Sequence, residues 1–140
     1  MSKISDFLNM TESSNQTDIE FLTQKINAET PEYGEAYPFD FFTRDDKNNI
    51  IAGANGFVIY GVIYTDQLWV DSAYRKKGLA RDLMEKIHQF GIKEGCKKAS
   101  VSTMSFQNAQ SFYEKLEYQV DFERHGHIKS SSCFFMSKNL

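Results

Sequence analysis

A basic, glycine-containing turn between an apolar run and an amphipathic helix constrains this chain more than any other stretch. Gln67-Leu68-Trp69-Val70-Asp71 reads as a buried strand. Leu79 to Glu94 reads as a helix, with Leu79, Leu83, Ile87 and Phe90 at three- and four-residue steps and Met84 beside them. Arg81, Asp82, Glu85, Lys86 and Gln89 are its polar positions, and Gly95 closes it. Between strand and helix lies Tyr74-Arg75-Lys76-Lys77-Gly78-Leu79-Ala80. The first N–H groups of a helix have no intrahelical acceptor and sit at the positive end of its dipole. A glycine lets backbone come close to a ligand, and the neighbouring cations strengthen a site already suited to phosphate.

Bulk properties narrow the anion. A chain of 140 residues, 41% hydrophobic and 25% charged, predicts one domain over residues 1–140 with one core. A net charge of −3 and a pI near 5.6 argue against nucleic acid as a partner and favour a small anionic ligand at the local Arg-Lys-Lys cluster. Cys96 and Cys133 have neither metal spacing nor a disulfide framework, so reduced thiols are expected. The opening residues lack a signal-peptide pattern, and no apolar run reaches the roughly 18 residues of a membrane span. A soluble, cytoplasmic protein without a membrane partner is the expectation.

Thr17-Asp18-Ile19-Glu20 has capping-box spacing, which predicts a helix over about 18–29 with Ile19, Leu22 and Ile26 in register and Pro31 ending it. Glu32 to Pro38 reads as loop. Phe39 to Thr43 and Ile50 to Tyr60 read as a hairpin around Asp45 to Asn49, with Gly53 and Gly56 marking a bulge or break. Val62 to Tyr64 and Leu68 to Val70 give one further strand or two. After the long helix come a strand at Ala99 to Ser105 and a short helix capped by Asn108, with Ala109, Phe112, Tyr113 and Leu116 on one face. Strands around Tyr118 to Phe122 and Cys133 to Met136 complete the chain. Strands joined by helices imply some parallel pairing and the hairpins imply antiparallel pairing. The fold class is α/β (α+β), a mixed, mostly antiparallel central sheet flanked by helices.

At this point the chain resembles the GNAT superfamily of acyl-CoA-dependent N-acetyltransferases. Arg75-Lys76-Lys77-Gly78-Leu79-Ala80 is similar to its R-x-x-G-x-G/A pyrophosphate loop and follows Leu68-Trp69-Val70-Asp71 in the place of the central strand. Asn108-Ala109-Gln110-Ser111-Phe112-Tyr113-Glu114-Lys115-Leu116 is similar to N-x-x-A-x-x-F-Y-x-K-L, with the alanine moved next to the asparagine. A helix and a strand separate the two segments, as in the superfamily. The resemblance spans roughly residues 39 to 137. One departure is Glu117, where a glycine often follows the Lys-Leu pair; another is Lys76-Lys77, where many relatives have a glycine between basic residues.

The resemblance implies a GNAT-like fold and acetyl-CoA as co-substrate, with no metal. Backbone groups from Lys76 through Gly78 and Leu79 to Ala80, with Arg75 and Arg81, would hold the pyrophosphate. Leu68, Trp69 and Val70 would pair with the pantetheine arm, and an N–H near Val70 would meet the oxyanion. Asn108 and Phe112 would join the cofactor contacts. Tyr113 is the candidate general acid for the departing thiolate; its bland reading is a core aromatic bonded to backbone. Asp66 is the carboxylate chosen as candidate base, with Asp71 and Glu35 as others. Strand alternation sets Asp66 on the face of Leu68 and Val70. His125-Gly126-His127 lacks a third ligand and reads as loop, and His88 reads as exposed.

Glu29, Glu32 and Glu35, interleaved with Tyr33, Tyr37 and Phe39, suit a cation. A small-molecule amine, cationic and primary, is therefore the expected acceptor. A non-catalytic acyl-CoA-binding module is the alternative; a nucleotide-phosphate binder is disfavoured because G-x-x-x-x-G-K-[ST] is absent from the sequence. The aromatic closing strand, with Phe134 and Phe135, suggests a homodimer.

Overall fold

The computed structural model describes residues 8–12 and 15–140. In chain order they form α1 (Gln16–Glu29), β1 (Tyr37–Arg44), β2 (Ile50–Ile59), β3 (Val62–Val70), α2 (Leu79–Lys93), β4 (Lys98–Met104), α3 (Gln110–Lys115), β5 (Gln119–Arg124) and β6 (Cys133–Asn139). The strands make one six-stranded sheet in the order β1-β2-β3-β4-β6-β5. Only β3 and β4 run parallel, because α2 carries the chain back across the sheet between them. The expected mixed, mostly antiparallel sheet is therefore the one observed.

Local chemistry accounts for the first hairpins. The Asp45 carboxylate accepts from the backbone N–H groups of Lys47 (2.9 Å) and Asn49 (2.8 Å), which bends β1 into β2. Tyr60 and Gly61 both take positive φ, the geometry of a two-residue turn between antiparallel strands. Pro38 is accommodated within β1 because that strand is an edge and can lack a ladder donor.

Val62 to Val70 is one strand rather than two, and it carries a bulge. Asn55 pairs with Gln67 but Gly56 pairs with Thr65, so Asp66 faces no residue of β2. Gly56 is required there: a Cβ would lie 1.8 Å from the Tyr64 carbonyl oxygen. The bulge also breaks strict alternation. Thr65 and Leu68 oppose Gly56 and Ala54, which are on one face of β2, so the face shared by Leu68 and Val70 continues through Thr65 and Ile63. Asp66 is the inserted residue, and two-residue alternation cannot assign it to the face of Leu68 and Val70.

The core lies on that face. Ile63, Met84, Ile87, Val101 and Met136 are fully buried, with α2 seated on β2, β3 and β4 through Leu83, Met84, Ile87 and Gly91. Phe39, Phe41 and Phe90 pack ring against ring between β1 and α2. Both cysteines are buried free thiols.

Two predicted helix starts move. Asn15, not Thr17, caps α1, with its side-chain oxygen accepting from Thr17 N at 2.7 Å. Asn108 does not cap α3: it takes a left-handed conformation (φ 55°), and Ala109 is the capping position with no side-chain bond. Helix α1 buries none of its residues, and Ile19, Leu22 and Ile26 are at least half exposed. Its attachment runs through Asn27, whose amide gives and takes a hydrogen bond with the Ala36 backbone at 2.9 and 2.8 Å.

Glu117 occupies the turn after α3 at φ 75°, a conformation that side chains with a Cβ resist. Glu117→Gly is expected to stabilise the protein by about 0.5–1 kcal/mol, after the entropy of a freer unfolded chain is subtracted from the relieved strain. Thermal unfolding would register this as a Tm raised by a few degrees.

Candidate functional site

The site begins where two strands part. β3 and β4 pair from Val62↔Lys98 to Thr65↔Val101 and no further. Beyond that point β3 continues to Val70 beside β2 alone, and β4 continues to Met104 beside β6 alone. The inner edge of β3 thus presents backbone groups with no strand partner, which a bound extended chain can pair with. On the outer face, Tyr64 Oη and Ser102 Oγ meet at 2.8 Å across the apex of the gap.

A cleft of about 950 Å³ runs through this gap. Leu68, Val70, Ala109, Phe112 and Tyr113 line it on the helix side, and Asn55, Gln67, Trp69 and Ser102 line it on the opposite face. It therefore connects both faces of the sheet. At one end is the loop before α2, contributing Arg75, Lys76, Gly78, Leu79, Ala80 and Arg81; at the β3 bulge is Asp66.

The loop has the geometry of an anion cradle. Gly78 is the N-cap of α2 in the left-handed conformation (φ 85°), and no side chain caps the helix, so its first N–H groups point outward. Lys76 also takes positive φ (63°), so it bears a strain that glycine would not. Arg75 is committed to structure: its Nε donates to the Val70 carbonyl at 2.9 Å, tying the loop to the end of β3. Asp71 is also engaged, its carboxylate accepting from Ala73 N at 2.8 Å to hold the short helical turn before the loop. Lys77 lies outside the cleft lining, with its ammonium 5.6 Å from the centre of the Tyr74 ring.

Tyr113 is only 6% exposed, yet it lines the cleft, and among the described residues no group hydrogen-bonds its hydroxyl. Its ring is wedged edge-on between Phe112 and Tyr118 (centroids 5.1 and 5.6 Å). Burial pushes its pKa up to about 12, so the phenol is a proton donor and never a base at neutral pH. Asp66 is exposed and lines the cleft; Asp71 and Glu35 do not.

Other sequence expectations fall elsewhere. Asn108 is absent from the cleft wall and borders a separate hollow of about 310 Å³ with Ser105, Gln110 and Glu114. None of Glu29, Glu32, Glu35, Tyr33, Tyr37 or Phe39 lines the cleft: Phe39 is core, and Tyr37 Oη donates to Glu94 at 2.6 Å. The grouping that suggested a cation-binding loop therefore does not border the cleft. Trp69 faces the outer side of the sheet, so only its backbone lies along the strand edge. Sequence reading overlooked Asn55 and Phe42; neither belongs to a recognisable motif, and only strand pairing brings them to the cleft. His125 sits 3.5 Å from Glu123 on the surface, and no group of three or more His, Cys, Asp or Glu is assembled to hold a metal among the described residues.

Comparison with known proteins agrees with this architecture. The chain belongs to the Acetyltransferase (GNAT) family, whose sequence model matches residues 7–118. It is accordingly an acyltransferase, of a family whose acetyl donor is acetyl-CoA. Among solved structures, an acetyltransferase from Bacillus cereus ATCC 14579 is similar at 22% identity and a TM-score of 0.74, over 96% of this chain and 99% of that one. An aminoglycoside 6'-N-acetyltransferase complexed with coenzyme A is 14% identical with a TM-score of 0.66, covering 94% and 95% of the two chains. The ribosomal-protein-S18-alanine N-acetyltransferase of Escherichia coli is 16% identical with a TM-score of 0.66, over 91% of each chain. No curated protein matches the sequence. No helix among the described residues is long and apolar enough to cross a membrane.

His88 is not the exposed residue that its place on α2 suggested. It is half-buried, with Nε2 2.7 Å from Tyr118 Oη. Desolvation, aided by the Lys138 ammonium, lowers its pKa from 6.5 to about 4. The unfolded chain therefore takes up this proton from about pH 6.5 downward, while the folded chain waits until about 4. Stability from this group is complete above pH 6.5 and is lost as pH falls towards 4, by roughly 1–2 kcal/mol once its partial exposure is allowed for. Urea unfolding at pH 7 and pH 4.5 should show a smaller loss of stability in His88→Gln than in the wild type.

Proposed function

We propose that this protein transfers the acetyl group of acetyl-CoA to the primary amine of a small cationic molecule, by direct attack within a ternary complex. The observation that carries the reading is the single cleft through the sheet. It joins a basic helix start at one end to a carboxylate at the β3 bulge, with the unbonded Tyr113 hydroxyl in its wall. The structural neighbour complexed with coenzyme A supports a coenzyme A thioester as the donor.

In this reading the first N–H groups of α2, with Lys76, Lys77, Gly78, Leu79, Ala80 and Arg81, hold the pyrophosphate. The unpaired edge of β3 at Leu68, Trp69 and Val70 holds the pantetheine arm, and an N–H of that edge stabilises the oxyanion. Phe112 supports the arm from α3, and Asn108 would reach it only from the neighbouring hollow. Arg75 is a positioning residue, because its guanidinium braces the loop against Val70.

The proton balance is simple. Asp66, directly or through a water, takes a proton from the incoming ammonium and passes it to solvent. The amine lone pair then attacks the thioester carbonyl, the carbon–sulfur bond breaks, and the departing sulfur keeps the bond's electron pair under a hydrogen bond from the Tyr113 hydroxyl. The new amide nitrogen releases its extra proton to solvent, and the thiolate takes one up from solvent. With Tyr113 near 12 and a free thiol near 8.5, full transfer from the phenol is uphill by about 5 kcal/mol. Tyr113 therefore acts best by hydrogen-bonding the sulfur as charge develops there, in a dry wall where such a bond is strong.

Tyr113→Phe should reduce kcat by roughly 10- to 100-fold while the affinity for acetyl-CoA changes little. Wild-type turnover in that variant would remove Tyr113 from the chemistry. Gly78→Asp, which adds bulk and negative charge at the phosphates, should raise the Kd for acetyl-CoA by about tenfold or more. Isothermal titration would measure it, and an unchanged Kd would move the donor elsewhere.

A further inference from the structure

The acceptor end of the cleft has a chemistry of its own. Pairing aligns Phe42, Gly53 and Trp69 in one row across β1, β2 and β3 on the outer face of the sheet. The Phe42 ring lies over Gly53, where a Cβ would come within 2.5 Å of its Cδ1, and Gly53 leaves the row with two aromatic side chains and none between them. Phe42 is 51% exposed and Trp69 is 49% exposed, and both line the cleft. The adjacent row is polar, with Asp40, Asn55 and Gln67 paired across β1, β2 and β3, of which Asn55 and Gln67 line the cleft. Asn55 Oδ1 is buried and has no hydrogen-bond partner among the described residues. A buried acceptor of this kind is costly unless a donor arrives to meet it.

Charge is divided between the elements that line the cleft. The cations lining the cleft, Arg75, Lys76 and Arg81, all belong to the loop and first turn of α2, and Asp66 is the one carboxylate among the described lining residues. We infer that the acceptor is a primary amine carried on an aromatic or similarly flat apolar body. Its body lies against Phe42 and Trp69, and its ammonium is met by the oxygens of Asn55 and Asp66. This rests on the transferase reading above and selects among cationic amines. A linear polyamine would call for several carboxylates along its path, and the cleft offers one. A polyhydroxylated aminosugar would call for many paired donors and acceptors, and the row beside Asn55 is two rings. Aromatic faces satisfy both the apolar body and the positive head.

Trp69 is the sole tryptophan of the chain, so binding can be read without turnover. Phenethylamine, spermidine and an aminoglycoside are titrated against the coenzyme A complex while Trp69 emission is followed, and kcat and KM are measured for each with acetyl-CoA. Phenethylamine should change the emission saturably and should exceed spermidine and the aminoglycoside in kcat/KM by about tenfold or more. Trp69→Ala and Phe42→Ala should each raise its KM by about tenfold, Phe42→Ala while leaving the KM for acetyl-CoA unchanged, and Trp69→Phe should restore most of the loss. Preference for spermidine or the aminoglycoside, or an unaltered KM in Trp69→Ala, overturns the inference and leaves the transferase reading intact. A saturable emission change from phenethylamine with no acetylation of any amine does the reverse.

Discussion

The structure depends on two parallel strands that stop pairing. β3 and β4 are held together from Val62 and Lys98 to Thr65 and Val101, and the cleft opens beyond the last of those pairs. On the helix side, buried Ile63, Val101 and Met84 lock the paired section. On the outer side the Tyr64–Ser102 hydrogen bond pins the apex. A gap opened in a rigid sheet in this way needs no moving part to admit a ligand, and its unpaired backbone edge is itself a binding surface.

The bulge in β3 and the tether of the α2 loop both serve that gap. By inserting Asp66, the bulge keeps Leu68 and Val70 on the buried face with Thr65, so the apolar wall continues past the apex. It also sets one carboxylate at the break. Gly56 makes this possible, since any side chain there would collide with the Tyr64 carbonyl. At the other end Arg75 reaches back to Val70, joining the basic turn to the end of β3 as one unit. Basic charge and carboxylate thereby sit on different elements of the cleft, the loop before α2 and the β3 bulge.

Much of this was legible in the residues. The period of Leu79 to Phe90 and the Arg75-Lys76-Lys77-Gly78 turn identify α2 and its anion site because both are local: a helix face and a helix start need only neighbouring residues. Tyr113 was legible through its place in a recognisable segment. Asn108 was misread as a cap because Asn serves equally as a cap and as a left-handed residue, and its φ is set by the chain that surrounds it. His88 was misread because a helix position predicts exposure only if the facing strand is known, and Tyr118 comes to meet it from 30 residues away. The Glu- and Tyr-rich stretch before β1 lies outside the cleft, with Phe39 and Tyr37 drawn into the packing between β1 and α2.

The sequence by itself determined the family, the basic loop before α2 and the order of helices and strands, since each rests on short-range pattern and on backbone groups that adjoin in the chain. Only the tertiary structure decided the cleft and its far wall. Where β3 leaves β4, which residue the bulge inserts, and how Phe42, Asn55 and Trp69 come to share one face all depend on strand register. Register is a long-range choice made by the packing of the whole sheet, and a shift of one residue would turn each of these side chains to the other face.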